Sequence, residues 1–226
     1  MTQFTIGQKQ ISVYPCDEPD RPVIYFNTFA GEGKQVLRLL RDDGCPPFTL
    51  VSVSSLDWNH DMSPWEIPPV KNADPCTGGA DVYLRILIER IVPEAEKEIK
   101  GTASWRGIAG YSLAGLFALY SMYQTDIFSR AASMSGSLWY PGITEYISSH
   151  TMKKTPDYLY FSLGSKEART RNPYMKTVQE NTEMIEKYYR ENGISTAFQL
   201  NPGNHYKDAE KRTAAGIRWL ADRQAE

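Results

Sequence analysis

The sequence predicts an α/β fold, with a mostly parallel central sheet and helices on both faces in a three-layer sandwich. The first observation behind this prediction is that apolar, β-prone runs alternate with helical patterns along the chain. Strands that alternate with helices of this length indicate βαβ units, which place successive strands parallel in one sheet. The second is that runs such as VIYF and LYFSL are apolar without alternation. Such runs are typical of strands that are covered on both faces.

The predicted elements follow one another without a linker, an internal repeat or a low-complexity run. The β-prone runs predict strands at Ile11–Tyr14, Val23–Phe26, Phe48–Val53, Trp105–Ala109, Ala131–Ser135, Tyr158–Leu163 and Thr196–Leu200. The helical patterns predict helices at Lys34–Arg41, Val82–Lys100, Leu113–Tyr123, Thr144–His150, Tyr174–Asn192 and Asp208–Arg223. Gly193 follows the fifth of these helices and is a common helix-ending residue. The Pro-rich stretch from Trp58 to Gly79 has little periodicity but keeps two tryptophans, so we expect an ordered excursion inside the domain.

Length and charge limit the class of protein. The chain of 226 residues favours a single domain over 1–226, because α/β folds often exceed about 200 residues undivided. A hydrophobic content of 41% excludes a disordered chain. The 25 basic and 27 acidic residues balance and no basic run occurs, so we expect neither a nucleic acid nor a membrane as partner. The sequence shows no apolar stretch near the roughly 20 residues of a membrane span and no apolar core of a secretory signal, which favours a cytoplasmic protein.

The three cysteines predict neither a metal site nor a disulfide framework. Cys16, Cys45 and Cys76 form no CxxC or Cys/His pattern, so structural zinc is not supported. Each lies beside a proline in turn-like sequence with no histidine nearby, which argues against a catalytic cysteine. An odd number of cysteines without an export signal indicates reduced thiols.

The pentapeptide Gly110-Tyr111-Ser112-Leu113-Ala114 carries the strongest local signal. It follows the strand pattern WRGIA and opens the helix LAGLFALY. This is the setting of a nucleophile elbow, G-x-S-x-G, in which a sharp strand-to-helix turn exposes the serine and needs small flanking residues. The helix N-terminus adds a free backbone N–H and a positive dipole where an oxyanion forms. Ser112 is therefore the candidate nucleophile, with an ordinary serine at a tight turn as the alternative.

The G-x-S-x-[GA] pattern alone is weak evidence. It is expected by chance in roughly one chain in six of this length. A second match, GISTA at 193–197, follows a helix and leads into a strand, which is the reverse context. We therefore keep only the match whose context is right.

A serine needs a neighbouring base to take its proton, and only His60, His150 and His205 are available. The chain order nucleophile, acid, histidine excludes His60. His150 ends the segment TEYISSH before two lysines, which favours a solvated helix C-terminus. His205 lies in NPGNH, between the strand TAFQL and the last helix. A fold with this order of catalytic residues carries its base in that loop. We predict His205 as the base, with an ordinary loop histidine as the alternative.

The acid that orients the imidazole and stabilises its cation should follow the penultimate strand. Glu167 follows YLYFSL and is our choice, whereas Asp157 precedes the same strand and would lie at the opposite edge of the sheet. The alternative role of Glu167 is a surface ion pair with Lys166, Arg169 or Arg171.

Two backbone N–H groups are expected to bind the oxyanion. Leu113, directly after the nucleophile, supplies one. The other should follow the strand VIYF, where Phe29 is the first choice and Thr28 the second. The adjacent sequence GEGKQ at 31–35 does not fit a phosphate-binding loop, because a glutamine replaces its Ser or Thr. We interpret these glycines as turn residues that open a helix.

Aromatic residues near the strand ends predict a substrate pocket. Tyr111 lies in the elbow, Trp58 and Trp65 follow the third predicted strand, and Trp139 follows the fifth. Function gathers at the carboxyl ends of the strands in open α/β sheets, and apolar walls with a few polar groups are typical of substrate sites. Loop packing is the equally weighted alternative for these residues.

The elbow GYSLAGLFALY, the segment MSGSLWYPG, the strand end LGSKE and the loop NPGNHY together resemble the putative-esterase branch of the α/β-hydrolase superfamily, which includes esterase D-like and enterochelin-esterase-like proteins. The resemblance extends from about Val23 to the C-terminus, and Ser112 and His205 match residue by residue. It implies the α/β-hydrolase fold and a serine ester hydrolase with a small-molecule ester substrate and no cofactor or metal. Glu167 occupies the usual place of the acid, although some enterochelin-esterase relatives are described with a Ser–His dyad. Two departures are Ala114, in place of the second elbow glycine, and the strand end NTF, in place of His-Gly or Asp-Gly.

The predicted reaction begins with attack of Ser112 on the ester carbonyl while His205 takes its proton. Glu167 holds the imidazole, and water then hydrolyses the acyl-enzyme. An acyltransferase, in which an alcohol replaces water, shares the first half-reaction and is not separated by the sequence. A non-catalytic binding module that retains the fold is the alternative from another class, and the intact Ser, Glu and His argue against it.

Overall fold

A computed structural model describes residues 1–69 and 74–223, and its centre is an eight-stranded sheet. The strands are β1 Thr2–Ile6, β2 Lys9–Tyr14, β3 Val23–Asn27, β4 Thr49–Ser54, β5 Glu66–Ile67, β6 Cys76–Thr77, β7 Arg106–Tyr111, β8 Arg130–Met134, β9 Tyr158–Gly164 and β10 Ser195–Asn201. The sheet has the order β1-β2-β4-β3-β7-β8-β9-β10. The six strands from β4 to β10 in this order pair in parallel, and β1 and β2 are antiparallel to their neighbours. Strands β5 and β6 form a separate antiparallel pair.

Helices cover both faces of this sheet. Their bounds are α1 Gly33–Asp42, α2 Trp58–Asp61, α3 Ala80–Ile86, α4 Val92–Ala95, α5 Leu113–Gln124, α6 Ile143–Ser149, α7 Val178–Glu191 and α8 Ala209–Ala221. Alternate side chains of β3 point to opposite faces: Ile24 and Phe26 pack with α1 and α8, and Val23 and Tyr25 pack with α3 and α5. The predicted three-layer α/β arrangement is confirmed, and unalternating runs such as VIYF are buried on both sides.

The helix after the elbow, α5, is buried from Leu113 to Tyr123. A helix that is apolar all round has no amphipathic stripe and belongs in the interior of the fold. It runs beneath β7 and β8, and this packing holds its N-terminus at the carboxyl end of the sheet.

The predicted helix over Val82–Lys100 is present as one continuous helical run, but the type of helix changes along it. It begins at Ala80, contains a π-helical turn at Leu87–Ile91 and ends in a 3₁₀ turn at Glu96–Glu98. Pro93 lies just after the π-helical turn and has no N–H to donate to the carbonyl group four residues earlier, which disfavours regular α-helical hydrogen bonding at this point.

The sequence prediction missed β1, α2 and the β5–β6 pair. β1 is an edge strand joined to β2 by a two-residue turn in which Gly7 has a φ of 62°. The stretch from Trp58 to Gly79 holds α2, β5 and β6, and within it residues 70–73 lie outside the described residues. In the ranges 1–69 and 74–223, no helix is long and apolar enough to cross a membrane.

Candidate active site

Ser112 occupies the sharp turn between β7 and α5. Its φ of 60° and ψ of −124° are unusual for a residue with a side chain, and such strain is retained where the surroundings fix it. The N–H of Ser112 donates to the carbonyl of Met134 on β8 at 3.1 Å, and its own carbonyl accepts from the N–H of Ser137 at 3.0 Å. A Cβ at Gly110 would lie 2.2 Å from the carbonyl oxygen of Ala114, so only glycine fits before the turn.

The structure brings the three residues predicted for the chemistry together at the carboxyl end of the sheet. Nε2 of His205 lies 3.1 Å from Oγ of Ser112. Nδ1 of the same imidazole lies 2.7 Å from Oε2 of Glu167. Glu167 follows β9 and His205 follows β10, and these two strands are parallel neighbours, so both loops start from the same edge. Both imidazole nitrogens are therefore within hydrogen-bond distance of the groups on either side.

Glu167 is held by more contacts than the one to the imidazole. Its side chain is 4% exposed, and Oε1 accepts from the Gly164 N–H at 2.6 Å, from Oγ of Ser135 at 2.8 Å and from Nη1 of Arg212 at 3.1 Å. Oε1 is thus occupied, which leaves Oε2 for His205. The alternative surface ion pair is not what the structure shows.

The pKa of Glu167 is lowered by these neighbours. Burial alone would raise it, but the hydrogen bond and charge of His205, with the hydrogen bonds from the Gly164 N–H and the Ser135 hydroxyl, outweigh burial and bring the pKa below its usual value. The carboxylate is therefore ionised at neutral pH.

Arg212, on α8, is a residue of this site that sequence reasoning missed. Its side chain is 3% exposed. Besides Glu167, Nη1 donates to Oγ of Ser135 at 3.2 Å and to Oη of Tyr111 at 3.3 Å. A signal was present, because Arg212 lies on the buried face of an amphipathic helix, four residues before the buried Gly216.

The expected oxyanion donors differ in their availability. Among the described residues, the N–H groups of Leu113 and Phe29 have no hydrogen-bond partner in the structure. The N–H of Thr28 donates to the carbonyl of Val53 at 2.8 Å. Thr28 is therefore wrong as a donor, because the sheet register commits its N–H to β4.

A cavity of about 330 Å³ opens beside Ser112 and His205. It lies between the end of β3, the start of α1 and the start of α8. Tyr111 and Trp58 line it as predicted, and the ring of Phe29 packs against Trp58 with centroids 5.1 Å apart.

Trp65 and Trp139 do not belong to the part of this cavity's lining that the structure describes. The indole N–H of Trp65 donates to the carbonyl of Pro141 at 3.0 Å, and its ring packs on Tyr140. Trp139 also packs on Tyr140. For these two residues the alternative of loop packing is the one observed.

The charge of the cavity is acidic apart from His205. Glu32 and Glu210 line it, and the part of the lining that the structure describes contains no lysine or arginine. One oxygen of Glu32 accepts from the Ala30 N–H, and the other is buried without a partner. No three His, Cys, Asp or Glu side chains among the described residues come together in a way that could hold a metal ion.

Comparisons with known proteins agree with this fold. A family model named "Putative esterase" matches residues 25–206, and the chain belongs to that family. A protein of Bacillus subtilis, the uncharacterized YbbA, is 23% identical over 220 residues, which cover 92% of this chain and 88% of YbbA.

Solved structures of the α/β-hydrolase fold superpose over nearly the whole chain. The siderophore hydrolase EstA from Aspergillus nidulans is 17% identical, with a TM-score of 0.74 over 99% of this chain and 94% of EstA. The BES protein from Bacillus cereus is 19% identical, with a TM-score of 0.75 over 98% of this chain and 96% of BES. At these identities the likeness establishes the fold.

Proposed function

We propose that this protein is a serine hydrolase that cleaves carboxylic esters through an acyl-enzyme intermediate. The observation that carries the proposal is the continuous hydrogen-bonded series from Oγ of Ser112 to Nε2 of His205, at 3.1 Å, and from Nδ1 of His205 to Oε2 of Glu167, at 2.7 Å. This is the arrangement in which a weak nucleophile is activated by a base that a third group orients.

In the first half-reaction, Oγ of Ser112 attacks the ester carbonyl carbon while Nε2 of His205 takes the hydroxyl proton. The carbonyl oxygen becomes an oxyanion, which in this proposal accepts hydrogen bonds from the N–H groups of Leu113 and Phe29, since neither has another acceptor among the described residues. Glu167 remains ionised and stabilises the imidazolium through Nδ1. When the tetrahedral intermediate collapses, the carbon–oxygen bond to the alcohol breaks and the imidazolium gives the alcohol its proton.

In the second half-reaction, water repeats the sequence on the acyl-enzyme. His205 takes a proton from the water, the hydroxide attacks the acyl carbon, and collapse of the intermediate returns the proton to Oγ of Ser112. The products are the carboxylic acid and the free enzyme. Each donor to the oxyanion contributes about 10²–10³ in kcat in enzymes of this kind.

The cavity supports a small-molecule ester as substrate. Its volume of about 330 Å³ is at the low end of ligand pockets, and aromatic rings of Phe29 and Trp58 form one wall. EstA from Aspergillus nidulans is named a siderophore hydrolase. Siderophore esters are therefore a substrate class to assay beside simple esters.

The test is hydrolysis of p-nitrophenyl acetate and butyrate by wild type and Ser112→Ala, with fluorophosphonate labelling of both. We expect Ser112→Ala to lose the label and nearly all turnover, because loss of a nucleophile in such a site costs about 10⁶ in kcat. Ser148→Ala, at an exposed serine of α6, is the matched control and should keep both. A folded wild type that neither hydrolyses these esters nor takes the label would overturn the proposal.

A further inference from the structure

We propose that Arg212 is a positioning residue for ester hydrolysis: its guanidinium holds the acid Glu167 and the loop that carries His205 in one alignment. The proposal rests on the proposed function, since it assigns a role through Glu167 and His205. It adds a residue from α8, which contributes neither the nucleophile, the base nor the acid.

The guanidinium nitrogen Nη1 of Arg212 contacts three groups of the site. It donates to Oε1 of Glu167 at 3.1 Å, to Oγ of Ser135 at 3.2 Å and to Oη of Tyr111 at 3.3 Å. The Tyr111 hydroxyl in turn donates to the carbonyl of His205 at 2.6 Å. Nη1 therefore fixes the carboxylate directly and the backbone of His205 through one intermediate hydroxyl.

The second nitrogen of the guanidinium, Nη2, holds the loop before His205. It donates to the carbonyl of Pro202 at 3.2 Å and to the carbonyl of Asn204 at 3.1 Å. These two carbonyls lie on either side of Gly203, so Nη2 is hydrogen-bonded to the loop both before and after this glycine. Because the guanidinium is planar and rigid, the distance between the acid loop and the base loop is set by one group.

Burying an ion pair has a desolvation cost, so a pair that is buried on both sides calls for a physical explanation. The side chains of Arg212 and Glu167 are 3% and 4% exposed, whereas at least one partner in every other ion pair of the described residues is more than 10% exposed. Replacing a buried ion pair by apolar side chains is often neutral or stabilising, so the pair is weak evidence for a stabilising role. Its contacts with both reacting loops favour the positioning role.

The chain offers a matched control in Arg130, which is also fully buried and also contacts α8. Its Nη1 donates to the carbonyls of Leu220 and Arg223, each at 2.6 Å, at the other end of α8. Its guanidinium stacks 3.9 Å from the ring of Trp105. Arg130 begins β8, and the carboxyl ends of the parallel strands carry the site, so loss of Arg130 should destabilise the fold without moving Glu167 or His205.

The experiment compares Arg212→Met, Arg212→Gln and Arg212→Lys with Arg130→Met. Thermal unfolding is measured for each, and kcat and KM for p-nitrophenyl butyrate are measured where all variants are folded, per active site titrated with fluorophosphonate. A misplacement of about 1 Å costs about 100-fold, so we expect Arg212→Met to lower kcat about 100-fold with little change in KM. Arg130→Met should lose stability and keep its kcat.

Two measurements distinguish a positioning role from a purely structural one: the kcat of the conservative variant Arg212→Lys and the pH profile of Arg212→Gln. Arg212→Lys keeps the positive charge but cannot contact both loops through a planar guanidinium. We expect its kcat to be about tenfold higher than that of Arg212→Met. The imidazole of His205 faces Glu167, the rings of Tyr111 and Tyr206, the Arg212 charge behind Glu167, and the cavity carboxylates Glu32 and Glu210. Only the Arg212 charge is lost in Arg212→Gln, so the acid limb of kcat/KM should move to higher pH.

The outcomes separate this proposal from the proposed function. If wild type hydrolyses the ester and Arg212→Met keeps the kcat of Arg130→Met, the positioning role is refuted and the serine hydrolase stands. If wild type is folded but inactive, both are refuted. If Arg212→Met does not fold, the test uses the kcat of Arg212→Lys and the pH profile of Arg212→Gln. A wild-type kcat in the first variant together with a wild-type pH profile in the second would refute the positioning role.

Discussion

Glu167→Gln is the substitution whose consequence the structure determines most closely. An amide keeps the size of the carboxylate but turns one oxygen into an NH₂ group. Three donors surround Oε1, from Gly164, Ser135 and Arg212, so the amide oxygen must stay there. The NH₂ group is then directed at Nδ1 of His205, where Oε2 was. Nδ1 must accept a hydrogen bond, which places the imidazole proton on Nε2, facing Ser112.

An imidazole with its proton on Nε2 cannot take the proton of the Ser112 hydroxyl. In serine proteases the same trapped tautomer costs about 10⁴-fold in kcat, equivalent to about 5.5 kcal/mol of activation free energy. We expect a loss of this order for Glu167→Gln. In Glu167→Ala no side chain fixes the tautomer, so the loss of kcat should be smaller. The unpaired buried charge of Arg212 should lower the unfolding free energy of that variant by about 3–5 kcal/mol.

The assay is kcat for p-nitrophenyl butyrate, together with the ¹⁵N chemical shifts of the His205 imidazole, which report its tautomer. Glu186→Gln is the control, because Glu186 is a half-buried, hydrogen-bonded glutamate on α7, away from Ser112. We expect the control to keep its kcat. A Glu167→Gln variant within tenfold of the wild-type kcat would refute the reasoning, and the site would then work as a Ser–His dyad.

Two further predictions concern charge. The pKa of Glu167 is lower in the folded state than its ordinary value of 4.5, so its stabilising contribution is complete above that value and is lost as the pH falls through the folded pKa. Urea titrations should therefore show a larger difference in unfolding free energy between wild type and Glu167→Gln near neutral pH than in acid, and a constant difference would contradict this. Glu32 and Glu210 line the cavity, so at low ionic strength an anionic hemisuccinate ester should have a higher KM than the neutral butyrate. Glu32→Gln should narrow that gap, and an unchanged gap would count against the cavity charge as its cause.

The central sheet could be predicted from the sequence because burial on both faces leaves a local signal. Runs such as VIYF need no partner to be recognised, and the strand-to-helix context selected Ser112 from two pattern matches. The short elements of the Trp58–Gly79 stretch could not be found in this way, because they depend on distant contacts. For example, the Gly78 N–H donates to Oγ of Ser63 at 2.9 Å, and the Gly79 N–H donates to the carbonyl of His60 at 2.9 Å.

The missed and mistaken site residues have a common physical cause. The N–H of Thr28 is taken up by Val53 because of the register between two strands, which no local pattern records. The side chain of Arg212 contacts Glu167 and Tyr111, which are 45 and 101 positions away. A helical pattern indicates which face is buried, but it does not tell what a charged residue on that face will meet. An arginine on the apolar face of a helix is therefore a signal for a buried anion elsewhere in the chain.

The charges at this site explain why a buried acid comes with a buried cation. A histidine that acts as a base is uncharged before the reaction. Of the four groups Ser112, His205, Glu167 and Arg212, only Glu167 and Arg212 are then charged, and their charges cancel. In the proposed tetrahedral intermediate, the imidazolium and the oxyanion on the substrate add one charge of each sign, and the sum is again zero. A lone buried carboxylate would balance the imidazolium but would stand uncompensated in the resting enzyme, at a cost of several kcal/mol for an unpaired buried ion. Arg212 offsets part of that cost and leaves Oε2 available to His205, because it binds the opposite oxygen.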